Sequence, residues 1–220
     1  MDEIAEWNDR MFEEHPTPYF GLAGIVERAR IAAIRRLADI TLADTVLEIG
    51  CEAGNLLLAL PEAGRIVGFD ISRKALDAAT KSFAEAGREA TFVRGNGEEP
   101  LPFEQGEFSV IICSEMLEHV QEPRAVLQQI YKIATPATRI VLTVPYERPK
   151  LVIKKMLTAT GLFRLLLPGI EEGLSEWHLQ EFSRERLLEE MQGLFKPLSA
   201  KTLLGLHVIA QVQKIKAPGS

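Results

Sequence analysis

The chain has 220 residues, enough for one domain with a substantial buried core. Apolar residues make up 46% and charged residues 25%, which excludes a disordered or fibrous chain. A formal net charge of -6 repels the phosphate backbone and argues against broad nucleic-acid binding, while leaving room for a local basic patch. The two cysteines, Cys51 and Cys113, each lie beside an apolar run and read as reduced, buried residues rather than a disulfide framework. The opening MDEIAEWNDR is acidic and lacks an apolar signal core, and no run reaches the ~20 apolar residues of a membrane span. The expected location is the cytoplasm.

Residues 2–20 are polar with aromatic insertions at Trp7, Phe12, Tyr19 and Phe20. They end in His15-Pro16-Thr17-Pro18, where the prolines oppose a continuous helix. Over 21–38, Ile25, Ala29, Ala32, Ala33 and Leu37 fall at helical spacing among arginines. The pattern then alternates. A strand over 45–49 leads into a glycine loop and a helix near 55–60. A second strand, 65–69, ends at Asp70, and Ser72 caps a helix running to about residue 86. Strands follow at 90–93 and 108–113, then helices near 115–120 and 123–133, and a fifth strand at 139–144. A helix near 183–192 and strands near 197–203 and 208–213 close the chain.

Strand–helix alternation with nearly all-apolar strands implies a doubly wound, Rossmann-like α/β sheet covered on both faces. The expected organisation is one domain over 1–220. It comprises an N-terminal helical cap (1–40), a ligand-binding core (41–145), an inserted lid (146–176), and a C-terminal helix with strands (177–214). Ligands in such sheets bind beyond the carboxyl ends of the strands, so the residues just after each strand matter most.

After the first strand comes Glu48-Ile49-Gly50-Cys51-Glu52-Ala53-Gly54-Asn55, in which glycines permit a tight turn and close approach to a ligand. Asp70, about 20 positions further on, can accept hydrogen bonds from both hydroxyls of a ribose. A dinucleotide site would carry G-x-G-x-x-G. Here the spacing is Gly50-x-x-x-Gly54, with Leu57 where a third glycine is needed, which argues against a bound pyrophosphate.

The stretch V-L-E-I-G-C-E-A-G-N resembles the first motif of class I S-adenosylmethionine-dependent methyltransferases, with Glu52 where a middle glycine is common. Further segments resemble the same family in order: Asp70; Gly95-Asn96-Gly97-Glu98-Glu99-Pro100-Leu101-Pro102-Phe103; and F-S-V-I-I-C-S-E-M-L-E-H over 108–119. The resemblance spans about 40 to 214. It implies a seven-stranded sheet, mostly parallel, with a C-terminal antiparallel hairpin. It also implies S-adenosylmethionine contacts from Glu48, Gly50, Cys51, Gly54, Asp70, Ile71, Asn96, Gly97, Glu98, Cys113 and Ser114.

Transfer of an activated methyl group needs alignment above all, and a base only if the nucleophile arrives protonated. Glu115, Glu118 and His119 follow the fourth strand, and on a helix such spacing places them on one face. His178-Leu179-Gln180-Glu181-Phe182-Ser183 follows the fifth. E-x-x-E-H with a distant H-x-x-E-[FW]-[ST] resembles metal-dependent small-RNA 2′-O-methyltransferases, and its first part resembles the O-methyltransferases of ubiquinone synthesis. The resemblance implies Glu115, Glu118, His119 and His178 as ligands of Mg²⁺ or a similar cation, and Glu115, His119 and His178 as catalytic candidates. The competing reading has Glu118 and His119 orienting a loop, with no metal.

Residues 150–170 are dense in apolar side chains and locally basic, with Arg148, Lys150, Lys154, Lys155 and Arg164 in or beside them. They read as a lid over an apolar substrate, as a peripheral membrane contact, or as a helical hairpin with solvated lysines. His15 to Phe20 offer a second pocket wall. The expected reaction is methyl transfer, more to oxygen than to nitrogen, on a small or lipid-like acceptor; no Asn-Pro-Pro-Tyr motif argues for amide or adenine methylation. The alternatives are a non-catalytic S-adenosylmethionine-binding partner or sensor and, further off, an NAD-dependent oxidoreductase. The sequence leaves the oligomeric state open.

Overall fold

The computed structural model describes residues 2–14, 21–162 and 178–215. His15 to Phe20 and the 163–176 part of the expected lid lie outside the described residues, as do the side chains of Arg148, Lys150 and Lys154.

Two helices, α1 (Asp2–Glu14) and α2 (Gly21–Ala38), precede the sheet. Then come β1 (Thr45–Ile49), α3 (Asn55–Ala59), β2 (Arg65–Asp70), α4 (Arg73–Glu85), β3 (Thr91–Arg94) and β4 (Val110–Ser114). A single 3-10 turn, Leu117–His119, leads to α5 (Pro123–Ile133), β5 (Arg139–Pro145) and α6 (Glu147–Ala159). The chain closes with α7 (Arg184–Glu190), β6 (Phe195–Leu203) and β7 (His207–Lys214). Helix starts follow their caps: Ser72 accepts from the Ala75 amide, Ser183 accepts from the Arg186 amide, and Pro123 opens α5.

The seven strands form one sheet in the order β3-β2-β1-β4-β5-β7-β6. β1 to β5 pair in parallel, and β7 runs antiparallel between β5 and β6. The strand order reverses between β1 and β4, which opens a crevice beyond their carboxyl ends. Apolar side chains cover both faces. Leu47, Ile49, Ile111, Cys113, Leu142 and Val208 pack with α5 and α7. Val46, Val110, Ile112, Val141 and Ile209 pack with α2, α3 and α4 on the other face. Among the described residues no helix is long and apolar enough to cross a membrane.

Residues 2–14 form a helix within the expected N-terminal cap and before the prolines at 16 and 18; Ile4, Ala5, Asn8, Met11 and Phe12 lie on one side of it, and Ala5 and Met11 are buried. One expectation needs correction. The expected helix near 115–120 is only the 3-10 turn. Glu115 adopts a left-handed φ of 51° and so ends any helical continuation from β4. The shared helical face for Glu115, Glu118 and His119 therefore does not exist.

Candidate functional site

The crevice is lined by the loops after β1, β2, β3 and β4, and by α1 on the outside. Its β1 side turns at Gly50 and Glu52, with φ of 77° and 44°. Glu52 thus keeps, at a strain of about 1–2 kcal/mol, a conformation that suits glycine. A Cβ on Gly50 would fall 2.5 Å from Cγ of Met116, and one on Gly97 would fall 2.7 Å from its Cε. The two loops therefore approach Met116 so closely that only bare backbone fits. That backbone edge faces the crevice.

Asp70 ends β2 at the crevice. One carboxylate oxygen accepts from the Glu52 amide at 2.9 Å and the other from the Ser72 amide at 2.9 Å. Burial pushes its pKa up, and these backbone N–H groups, with that of Ile71, pull it back. Ile71, Asn96, Gly97 and Glu98 line the same wall. Asn96 turns its side-chain oxygen inward, accepting from the Glu98 amide at 3.0 Å, and Glu98 in turn accepts from the Glu122 amide at 2.8 Å. The apolar lining comes from Ile4, Phe12, Phe69, Met116 and Val120.

Other expected contact residues stand behind this lining. Cys51 and Cys113 are buried in opposite cores, and burial pushes both thiols up, which leaves them unreactive. Gly54 turns toward Phe83 and Ala79 of α4, where it serves packing. Glu48 and Ser114 belong to a polar group beneath the crevice floor. Arg30 of α2, unread in the sequence, reaches into it. Its guanidinium hydrogen-bonds Ser114 Oγ and both oxygens of Glu27. Burial works against its charge, but Glu115, Glu27 and Glu48 outweigh burial and hold it protonated. Glu48 is buried, and its Oε2 has no hydrogen-bond partner among the described residues; burial pushes its pKa well up.

Glu115 lines the crevice at the end of β4. Its Oε1 accepts from Thr143 Oγ1 at 3.0 Å, and its Oε2 lies 3.0 Å from Nδ1 of His207, off the line of a well-formed hydrogen bond. The expected four-ligand cluster therefore loses Glu115. Among the described residues, Glu118, His119 and His178 bring ligand atoms within 4.8 Å of one another. The backbone explains the approach, since the Leu179 and Gln180 amides donate to the Glu118 carbonyl at 2.8 and 3.0 Å. The rings of His119 and His178 meet edge-on, with centroids 5.0 Å apart.

A family model described as a methyltransferase domain matches residues 46–137, the β1 to α5 part of this crevice. The ubiquinone biosynthesis O-methyltransferase of Vibrio campbellii is 25% identical over 212 residues, covering 90% of each chain. That of Aromatoleum aromaticum is 29% identical over 167 residues, 73% of this chain and 71% of its own. The chain is similar to class I S-adenosylmethionine-dependent methyltransferases. Its fold agrees with solved structures. PH0226 of Pyrococcus horikoshii superposes with a TM-score of 0.67 at 15% identity, over 86% of this chain and 91% of its own. The N-methyltransferase NodS of Bradyrhizobium japonicum, in complex with S-adenosyl-L-homocysteine, gives 0.61 at 16% identity, over 98% and 96%.

The residues present fit the cofactor. Gly50 and Gly97 line the crevice together with Asp70. The orphaned oxygen of Glu48 and the cation of Arg30 lie beneath the floor and complement the ammonium and carboxylate of an amino acid.

Proposed function

We propose that the enzyme methylates an oxygen of a small or lipid-like acceptor, with Glu115 as the general base. The observation that carries this reading is the placing of Glu115. Its carboxylate lines the same crevice as Asp70, and its conformation is fixed by a strained backbone and by Thr143. The names of the ubiquinone-biosynthesis relatives support oxygen as the acceptor atom.

In this reading Asp70 takes the ribose hydroxyls, while Asn96, Gly97 and Glu98 flank the adenine. The Gly50 loop, Glu48, Arg30 and Ser114 serve the methionine end. When bound, S-adenosylmethionine supplies a methyl group on a positively charged sulfur. Glu115 receives the proton of the acceptor hydroxyl, and His119, which also lines the crevice, orients the acceptor. Ile4, Phe12, Met116 and Val120 exclude water and suit an apolar group.

The cluster of Glu118, His119 and His178 supports a cation at the edge of the crevice. Two imidazoles and one carboxylate suit a transition metal better than Mg²⁺, which prefers oxygen ligands alone. Exposed Val152 and Met156 on α6, with exposed Lys155 between them, support the reading of 150–170 as a contact with an apolar acceptor or lipid surface.

The test is transfer of labelled methyl from S-adenosylmethionine into a bacterial total-lipid extract, a polar metabolite fraction and RNA, with and without chelator. Label in the lipid or metabolite fraction is expected. Glu115→Gln should cut the rate about 10²–10⁴-fold while S-adenosylhomocysteine affinity stays unchanged. Label in RNA alone, or full activity of Glu115→Gln, would overturn the proposal. Loss of label with chelator, restored by Mn²⁺ or Zn²⁺ but not by Mg²⁺, would support the cation site.

A further inference from the structure

The α2 face of the sheet is apolar along most of its length and turns polar at one end. Strand side chains alternate between faces, so Glu48 follows Val46 onto the α2 face, and Ser114 follows Ile112. Thr143 likewise follows Val141, and His207 precedes Ile209. These four residues stand on four neighbouring strands, β1, β4, β5 and β7, at the carboxyl end of the parallel ones. All four are buried, His207 with 7% of its surface exposed. An apolar residue at each position would pack more cheaply, since a buried polar group left unpaired costs roughly 1–3 kcal/mol.

The row has a direction. Arg30 bonds Ser114 Oγ, Ser114 Oγ lies 2.9 Å from Thr143 Oγ1, and Thr143 donates to Oε1 of Glu115. His207 approaches the other oxygen, Oε2, at 3.0 Å. The polar row thus meets Glu115 from two sides, at the residue whose backbone is strained.

We propose that His207 is a positioning residue for the catalytic carboxylate, so that the antiparallel hairpin of β6 and β7 is part of the active site. The proposal rests on the reading of Glu115 as the base. His207 Nδ1 lies 3.0 Å from Oε2 and, with Thr143 donating to Oε1, brackets the carboxylate at one orientation over the crevice. The antiparallel register makes this reach, because His207 stands opposite Pro145, the last residue of β5. Arg30 places a positive charge beside this buried row, bonded to Ser114.

The experiment is a double-mutant cycle over Glu115→Gln and His207→Leu, read by methyl transfer into the total-lipid and metabolite fractions and by S-adenosylhomocysteine binding. His207→Leu should lower kcat about 10–100-fold, with the KM for S-adenosylmethionine and the S-adenosylhomocysteine affinity within about twofold of wild type. His207→Gln, whose amide can donate to the same oxygen, should recover part of the loss. In the Glu115→Gln background His207→Leu should cost nothing further, because both act through one group. A readout independent of turnover is available, as the chain has four histidines. In ¹⁵N-histidine-labelled, unliganded protein, Glu115→Gln should shift the His207 imidazole resonance. Unchanged kcat in both His207 variants, or a further loss on top of Glu115→Gln, overturns the proposal. Full activity of Glu115→Gln instead overturns the reading of Glu115 as base. If His207→Leu does not fold, His207→Asn, too short to reach Oε2, carries the same test.

Discussion

Glu48 occupies a buried position of β1 where its pKa is pushed well up by burial, against the pull of Arg30. A carboxyl that holds its proton more tightly when folded adds stability at acid pH, and that contribution is lost as the pH rises above the ordinary glutamate range. Glu48→Gln removes this loss. The unliganded variant should be more stable than wild type at pH 8, on the order of 1 kcal/mol, with the gap closing toward pH 4. S-adenosylhomocysteine affinity should fall about tenfold if Glu48 serves the amino group. Urea midpoints at the two pH values and calorimetric titration check both halves. Equal stability at pH 8 would show that Arg30 fully compensates the buried carboxyl. At this scale the sequence was informative where a motif places a residue on the crevice: Gly50, Asp70, Ile71, Asn96, Gly97 and Glu98 all line it. It was silent on Arg30, Thr143 and His207. These come from distant segments, and only the register of β4, β5 and β7 brings them together. The one available signal was a polar residue at an inward position of each strand.

α1 lies within the helical cap expected over 1–40, although its apolar stripe was not read from the sequence. It packs along α4. Asp9 accepts from Ser72 Oγ and from the Lys74 amide, so it joins α1 to the first turn of α4, two residues after Asp70. Lys74 adds an exposed ion pair with Glu13 at 2.7 Å, worth little by itself. Ile4, Asn8 and Phe12 then form the outer wall of the crevice. A chain beginning at residue 15 keeps all seven strands and both apolar cores, and loses only the buried Ala5 and Met11. It should fold, with S-adenosylhomocysteine affinity lowered about tenfold or more, chiefly through faster release. Unchanged affinity would reduce α1 to a packing element. The sheet elements were legible because each strand is a short apolar run bounded by turn residues. The residues after β4 were misread because spacing alone cannot reveal that Glu115 takes a left-handed conformation.

Across the whole molecule, the two ends of the sheet do different work. The carboxyl ends carry the crevice and the strained, partly unpaired polar groups. The amino ends carry a closed network around Asp44, just before β1. Asp44 accepts from the Thr41 amide and Thr41 Oγ1, each at 2.8 Å, from Ser109 Oγ at 2.7 Å, and from the guanidinium of Arg139. Burial alone would raise its pKa, but Arg139, Ser109 and Thr41 outweigh burial and hold it well below the ordinary aspartate range. A depressed pKa contributes stability above the unfolded value, near 3.9, which is lost as the pH falls below it. Asp44→Asn should therefore cost about 2 kcal/mol at pH 7, or about 5 °C in Tm. The deficit should narrow below pH 4, where the unfolded chain takes up a proton that the folded carboxylate does not. Because Asp44 lies at the opposite end of β1 from Gly50, S-adenosylhomocysteine affinity should not change. Thermal unfolding at pH 7 and pH 3, with ligand titration at pH 7, separates the two ends. A deficit that persists unchanged at pH 3 would assign the loss to hydrogen-bond geometry rather than to the charge of Asp44.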